Sequence, residues 1–172
     1  STAKKAVPRG SIYDSKGKVL VGNKPKLAVN YTRSSDATTK SMLETAKKLT
    51  EFITVDTSKL RDRDLKDYWF ATHPDEASKL LTAEEKKKAS KEGLSNSKTY
   101  EMQLEHITDD QINYSDSEKQ AIAIFTKMNS AYALSTVTIK NDSVTEQEVA
   151  RISERLGELK GIDIDSDWDL EY

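Results

Sequence analysis

Among the serines that precede a lysine by three residues are Ser15, before Lys18, and Ser95, before Lys98. At that spacing one helical turn returns an ammonium to a serine oxygen and can activate it as a nucleophile. The chemistry requires the serine to open a helix. Gly17 lies between two strand-like runs, where it serves a turn that needs positive φ, so Ser15 reads as a turn residue. Ser95 falls in the polar cluster Ser95-Asn96-Ser97 and reads as loop. The S-x-N and K-T-G companions that complete such a serine site do not occur. Chance alone supplies one or two such matches in a chain this rich in serine and lysine.

The other residues that could do chemistry read more simply as structure. His73 and His106 are the only histidines, with neither a zinc-type H-E-x-x-H nor a defensible Ser-His-Asp set. Asp163, Asp165, Asp167 and Asp169 alternate as in a calcium loop, but Trp168 stands where that loop needs glycine for its sharp turn. No metal and no cofactor are expected. Tyr68-Trp69-Phe70 and Trp168 could form an aromatic platform for sugar or peptide; at helical spacing they read as core. Lys86-Lys87-Lys88 could meet an anionic surface, yet Glu84, Glu85 and Glu92 cancel most of that field, so the run reads as a solvated helix face.

The elements that must position these residues are legible from periodicity. Ile12-Tyr13-Asp14, Val19-Leu20-Val21 and Leu27-Ala28-Val29-Asn30-Tyr31 are β-prone runs separated by Gly, Pro, Asn and Asp, the pattern of a three-stranded meander. From about Thr38 the period becomes helical, with Met42, Ala46, Leu49 and Ile53 on one stripe. Thr57 or Ser58 is expected to cap a second helix that presents Leu65, Tyr68 and Trp69 on one face and ends at His73-Pro74. Residues 75–116 read as a charged, exposed helical arm. Capping boxes at Thr82–Glu85 and Thr108–Gln111 lie within it, and Gly93 and the Ser95 cluster break it.

Ser115 to Glu118 opens the strongest helix, with Ile122, Phe125, Met128 and Tyr132 recurring beside Ala121 and Ala131. Ser135 to Lys140 alternates and is β-branched, so a strand is expected. Thr145 to Glu148 caps a last helix with Val149, Ile152, Leu156 and Leu159 inward and Gly161 as its stop, before a short extended tail. The expected class is α+β, one elongated unit over residues 1–172.

Composition narrows the function. Of 172 residues 35% are apolar and 33% charged, and 27 basic residues oppose 29 acidic ones for a net charge of −2. That balance leaves no excess positive potential for a nucleic-acid backbone. Cysteine is absent, which excludes disulfides and fits a cytosol and a Gram-positive surface equally. No apolar run approaches the roughly 20 residues that span a bilayer. The first residues, Ser1-Thr2-Ala3-Lys4-Lys5, lack an initiator Met, and an excised piece of a longer polypeptide is expected.

Pro8-Arg9-Gly10-Ser11-Ile12-Tyr13-Asp14-Ser15-Lys16-Gly17-Lys18-Val19-Leu20 resembles the R-G-x-I-x-D-x-x-G-x-x-L motif that opens the N-terminal dimerisation, or pedestal, domain of class B penicillin-binding proteins. Gly17 would make the turn, Ile12 and Leu20 would face the core, and Asp14 would fix the turn. Further segments resemble the 2b-type Gram-positive branch in the same order: Glu44-Thr45-Ala46-Lys47-Lys48-Leu49, Arg63-Asp64-Leu65-Lys66-Asp67-Tyr68-Trp69, Ile112-Asn113-Tyr114-Ser115-Asp116-Ser117-Glu118-Lys119, and Gly161-Ile162-Asp163 leading to Asp167-Trp168-Asp169. Ser15 departs from the arginine often found there, and Leu170-Glu171-Tyr172 from the usual basic continuation.

The resemblance implies a non-catalytic domain with no catalytic residue of its own. An N-terminal transmembrane helix would precede it and a penicillin-sensitive serine transpeptidase domain would follow, on the extracellular face of a Gram-positive cell membrane. It implies contacts with that transpeptidase domain, with a SEDS-type glycosyltransferase and with other morphogenesis proteins, and its family label raises a homodimer. By the same carry-over Arg9, Gly10, Ile12, Asp14 and Gly17 are structural or interface residues, and Arg9 suits a bidentate carboxylate bridge. A free-standing extracellular wall- or protein-binding module is the alternative.

Overall fold

The computed structural model describes residues 25–168. Within them seven α-helices and three strands form an α+β fold, as expected. Strand β1 (Pro25–Thr32) alternates so that Val29 and Tyr31 are buried while Lys26 and Thr32 are exposed. It lies at the centre of an antiparallel sheet of order β2-β1-β3. Strand β2 (Thr136–Lys140) pairs Tyr31 with Val137 and Thr32 with Thr136, whose hydroxyls meet at 2.7 Å. Strand β3 (Ile162–Trp168) pairs along β1 from Pro25↔Trp168 to Tyr31↔Ile162. The first two strands expected of the meander fall outside the described residues; the third is β1.

A bulge interrupts the β1·β2 ladder between Val29 and Asn30, because β2 carries Ile139 as an extra residue between Thr138 and Lys140. Bulges re-aim side chains. Here the extra residue places Lys140 opposite buried Val29, and its ammonium finds a carboxylate rather than water.

The helices cover the inner face of this sheet. Helix α1 (Thr39–Leu49) is capped reciprocally by Thr38 and Ser41, and its stripe of Met42, Ala46 and Leu49 is buried, with Ile53 continuing it past the helix end. Helix α2 (Asp62–Thr72) buries Leu65, Tyr68 and Trp69 and stops before His73, after which Pro74 opens the short α3 (Pro74–Ala77). Helices α4 (Ala83–Glu92) and α5 (Asn96–Glu105) follow, then a 3-10 turn at Asp109–Ile112. Helix α6 (Asp116–Asn129) buries Ile122, Ile124, Phe125 and Met128 and packs against α1, α2 and β2. Helix α7 (Glu146–Ser153) seals the far side with Ile152, and Leu159 beyond it is also buried. Tyr68 sits edge-on to both Phe125 and Tyr114, so the aromatics of α2 belong to the core.

Within residues 75–116 burial is uneven. Helix α4 buries no residue, whereas Leu104, Ile107 and Ile112 join the main core.

The expected box at Thr108 is present, with the Thr108 N–H donating to Gln111 Oε1 at 2.8 Å, and it opens a 3-10 turn. Three expectations require correction. Helix α2 begins at Asp62, not behind Thr57 or Ser58, because Asp56 takes the Ser58 N–H in a turn of its own and Asp64 reaches back to the Arg61 N–H instead. Tyr132 leaves the α6 stripe because that helix ends at Asn129. Helix α7 ends at Ser153, so Leu156 swings outward in a 3-10 turn.

Gly161 is therefore not the helix stop. It takes φ +86 at the entrance to β3, and a Cβ there would lie 2.6 Å from the Thr32 carbonyl oxygen. No L side chain fits that approach without moving β1. Gly161→Ala is predicted to lower unfolding stability by about 2–4 kcal/mol. Gly157→Ala, where a Cβ would meet nothing within 4 Å, should change it by less than about 0.5 kcal/mol. Urea unfolding of both variants measures the difference; equal midpoints would contradict the tight approach at Gly161.

Candidate functional site

Arg9, Gly10, Ile12, Asp14 and Gly17, the residues singled out for an interface, lie outside the described residues, as does Ser15. The second serine is described, and its reading as loop is overturned. Ser95 is the N-cap of α5, so Lys98 does sit one turn into a helix. The Ser95 Oγ accepts the Lys98 backbone N–H at 3.2 Å, and both residues are exposed. The serine thus serves as a helix cap on an open surface, without the enclosed pocket and oriented base that nucleophilic catalysis requires.

The histidines have structural partners. His73 stacks on Trp69 with ring centroids 4.4 Å apart, its Nδ1 within 2.9 Å of the Trp69 carbonyl. His106 Nε2 meets Glu85 Oε1 at 2.7 Å and so ties the end of α5 to the start of α4. Among the described residues no cluster of His, Asp and Glu could hold a metal ion, and no helix is long and apolar enough to cross a membrane. Lys86, Lys87 and Lys88 are all exposed on α4.

What the fold does assemble is a set of polar clasps beside open cavities. Glu148 is the most elaborate. Its Oε1 accepts the Thr145 N–H at 2.9 Å, its Oε2 accepts the Thr54 N–H at 3.0 Å, and the Lys140 ammonium lies 3.0 and 3.1 Å from the two oxygens. One buried carboxylate therefore joins the cap of α7, the end of β2 and the segment after α1. Burial alone would raise its pKa, but the Thr145 and Thr54 amides and Lys140 together outweigh burial and hold it below the ordinary value.

A second clasp lies between α2 and α5. The Tyr100 hydroxyl donates to Asp67 Oδ1 at 2.6 Å, Arg63 Nε donates to the same oxygen at 3.1 Å, and the guanidinium sits over the Tyr100 ring. Burial first, then Asp67, push the Tyr100 phenol well above its usual range, so it remains a donor. This clasp borders a cavity of about 550 Å³ whose apolar wall includes Phe70, Ala71, Pro74, Ala77 and Phe125. A second cavity of about 550 Å³ lies next to it, lined by Arg33, Ser34, Asn129 and Tyr132 among others; Asn129 borders both. The first lining includes Asp67, Ser78 and Tyr100, but Ser78 Oγ donates to the Asp75 carbonyl at 2.7 Å and Asp67 Oδ1 is already taken by Tyr100 and Arg63.

The family model described as "Penicillin-binding Protein dimerisation domain" matches residues 4–172. The chain belongs to that family. It is 44% identical over 173 residues to penicillin-binding protein 2A of Bacillus subtilis, covering 100% of this chain and 24% of that protein. It is 32% identical to penicillin-binding protein H of the same organism, covering 99% and 28%. The solved structure of penicillin-binding protein 2B from Streptococcus pneumoniae strain R6 superposes with a TM-score of 0.62 at 34% identity, over 91% of this chain and 24% of that one. The chain thus spans about a quarter of the length of these relatives.

Sequence reasoning found the ordered family motifs and missed the clasps. Glu148 and Glu85 were legible as capping-box residues, but their second partners, Lys140 and His106, come from other elements. Arg33 carried no local signal at all. Glu148→Gln is predicted to lower stability by about 2–4 kcal/mol at neutral pH, because the Lys140 ammonium would remain enclosed without its counter-charge. Since the folded pKa is depressed, the contribution is complete above the unfolded carboxyl value of about 4.3 and is lost as the pH falls through the lower folded value. Urea unfolding between pH 3 and 7 should therefore show a shallower acid slope in the variant; an unchanged slope would contradict the clasp.

Proposed function

We propose that this chain is the non-catalytic pedestal of a membrane-anchored peptidoglycan D,D-transpeptidase, working on the outer face of the cell membrane of a Gram-positive bacterium. In this reading it sets the height and orientation of a serine transpeptidase domain and offers surfaces to a SEDS-type glycosyltransferase and other wall-synthesis proteins. The observation that carries it is the dimerisation-domain match along almost the whole chain, on a chain that spans a quarter of its penicillin-binding relatives. The geometry supports the same reading. The clasps described above join elements to one another, and the serine with the nucleophile spacing caps an exposed helix.

Arg9, Gly10, Ile12, Asp14 and Gly17 would form the base of the pedestal, where the anchor joins. A domain that transmits position has to be stiff rather than reactive, and a single core tied by buried carboxylates provides that stiffness.

Incubation with a fluorescent penicillin tests the division of labour. The 172-residue chain should take up no covalent label, while the longer protein that carries it should be acylated at a serine outside residues 1–172. Label on Ser15 or Ser95 would overturn the non-catalytic reading, and an unlabelled longer protein would overturn the transpeptidase assignment.

A further inference from the structure

The loop between α6 and β2 holds two large apolar side chains out in water: Tyr132 is 84% exposed and Leu134 73%. The backbone there is fixed. Leu134 N–H donates to the Arg33 carbonyl at 2.6 Å, Arg33 N–H donates to the Ser135 carbonyl at 3.0 Å, and Ser135 Oγ donates to the Tyr132 carbonyl at 2.7 Å. Leu134 takes φ 66, a left-handed conformation that side chains disfavour. A segment that keeps such a backbone while displaying apolar surface has the character of a contact point.

Behind this tip is the cavity of about 550 Å³ lined by Arg33, Ser34, Asn129, Ser130 and Tyr132, and Arg33 is the sole charged residue in its lining. The guanidinium is anchored through Nη1, which donates to the Ala131 carbonyl at 2.9 Å, and no carboxylate pairs with it among the described residues. The nearby acid, Asp36, is already met by Ser34 Oγ at 2.7 Å and Lys160 at 3.5 Å.

We propose that this groove docks an acidic segment of a partner polypeptide, one carboxylate meeting the Arg33 fork and an adjacent apolar residue lying on Tyr132 and Leu134. A planar guanidinium held by one bond presents its remaining donors in the geometry that suits a carboxylate. Tyr132 lines the same cavity as Arg33, and exposed Leu134 follows two residues on, which calls for a ligand that joins charge and hydrocarbon within a residue or two. A single cation without clustered lysines fits a protein carboxylate better than an anionic lipid surface, which draws on several. The assignment rests on the reading of the chain as a domain that works by contact, and deepens it. Because the penicillin experiment reads an acylated serine and the one below reads binding at Arg33, the two fail separately.

The full 172-residue chain is titrated by NMR with N-acetyl-Glu-Leu-Phe-amide and with its Gln-Leu-Phe counterpart. The glutamyl peptide should move the Arg33 Nε–H, the Leu134 methyls and the amides of residues 130–135. The glutaminyl peptide, or Arg33→Gln, should weaken binding about fivefold or more, and added salt should weaken it further. Leu134→Gly, which suits the left-handed φ and so keeps the fold, should weaken it as well. Equal binding of the two peptides, or unmoved resonances at Arg33 and Leu134, would overturn the assignment. So would broadening of these resonances with protein concentration alone, which would indicate a second copy, or stronger shifts with phosphatidylglycerol vesicles than with peptide.

Discussion

Everything in this fold hangs on one strand being paired along both edges. β1 meets β2 across 104 residues, from Thr32 to Thr136, and meets β3 across a still longer loop. Helices α1 to α6 lie inside the first loop, and α7 lies between the two partner strands. The sheet cannot close until nearly the whole described chain has collapsed. Long-range closure slows folding and makes the folded state cooperative, because no subset of elements recovers the ordering entropy alone. For a domain whose proposed work is to hold something else in place, that cooperativity is the useful property.

The polar residues reinforce the same arrangement. Capping boxes normally satisfy the first amides of their own helix. In this chain two capping carboxylates also reach outward: Glu85 to His106 at the end of α5, and Glu148 to Lys140 on β2 and to the Thr54 amide. Each places a helix start against a neighbouring element, converting a local signal into a tertiary one. Of the two only Glu148 is buried, and a buried charge holds only when fully partnered, so it fixes a unique arrangement more than it adds raw stability. The same side chains that could have made acid-base chemistry are thereby engaged in joining elements.

This division explains what could be read from the sequence. The stripes Met42-Ala46-Leu49 and Ile122-Phe125-Met128, the alternation of β2 and the boxes at Thr82, Ser115 and Thr145 are periodic or local, and they appear where expected. The start of α2 was misplaced because an Asx turn at Asp56 competed with capping at Ser58. Ser95 was misread because a Ser-Asn-Ser cluster looks alike as a loop and as a helix cap. Tyr132 and Leu156 continued a helical period past the residue at which the helix ended. The bulge at Val29, the role of Gly161 beside Thr32 and the half-buried placement of Arg33 arise from segments brought together over long separations, and no local pattern carries them. The motif around Arg9 lies outside the described residues, so its part in the domain rests on family membership.

The central claim is a single rigid unit organised on β1, and native-state hydrogen exchange of the intact chain tests it most directly. The amides of residues 29–31 in β1, 122–128 in α6 and 162–164 in β3 should share one opening free energy, equal to that of global unfolding. Exchange of the β1 and β3 amides through a separate opening of clearly lower free energy, with α6 still protected, would contradict it.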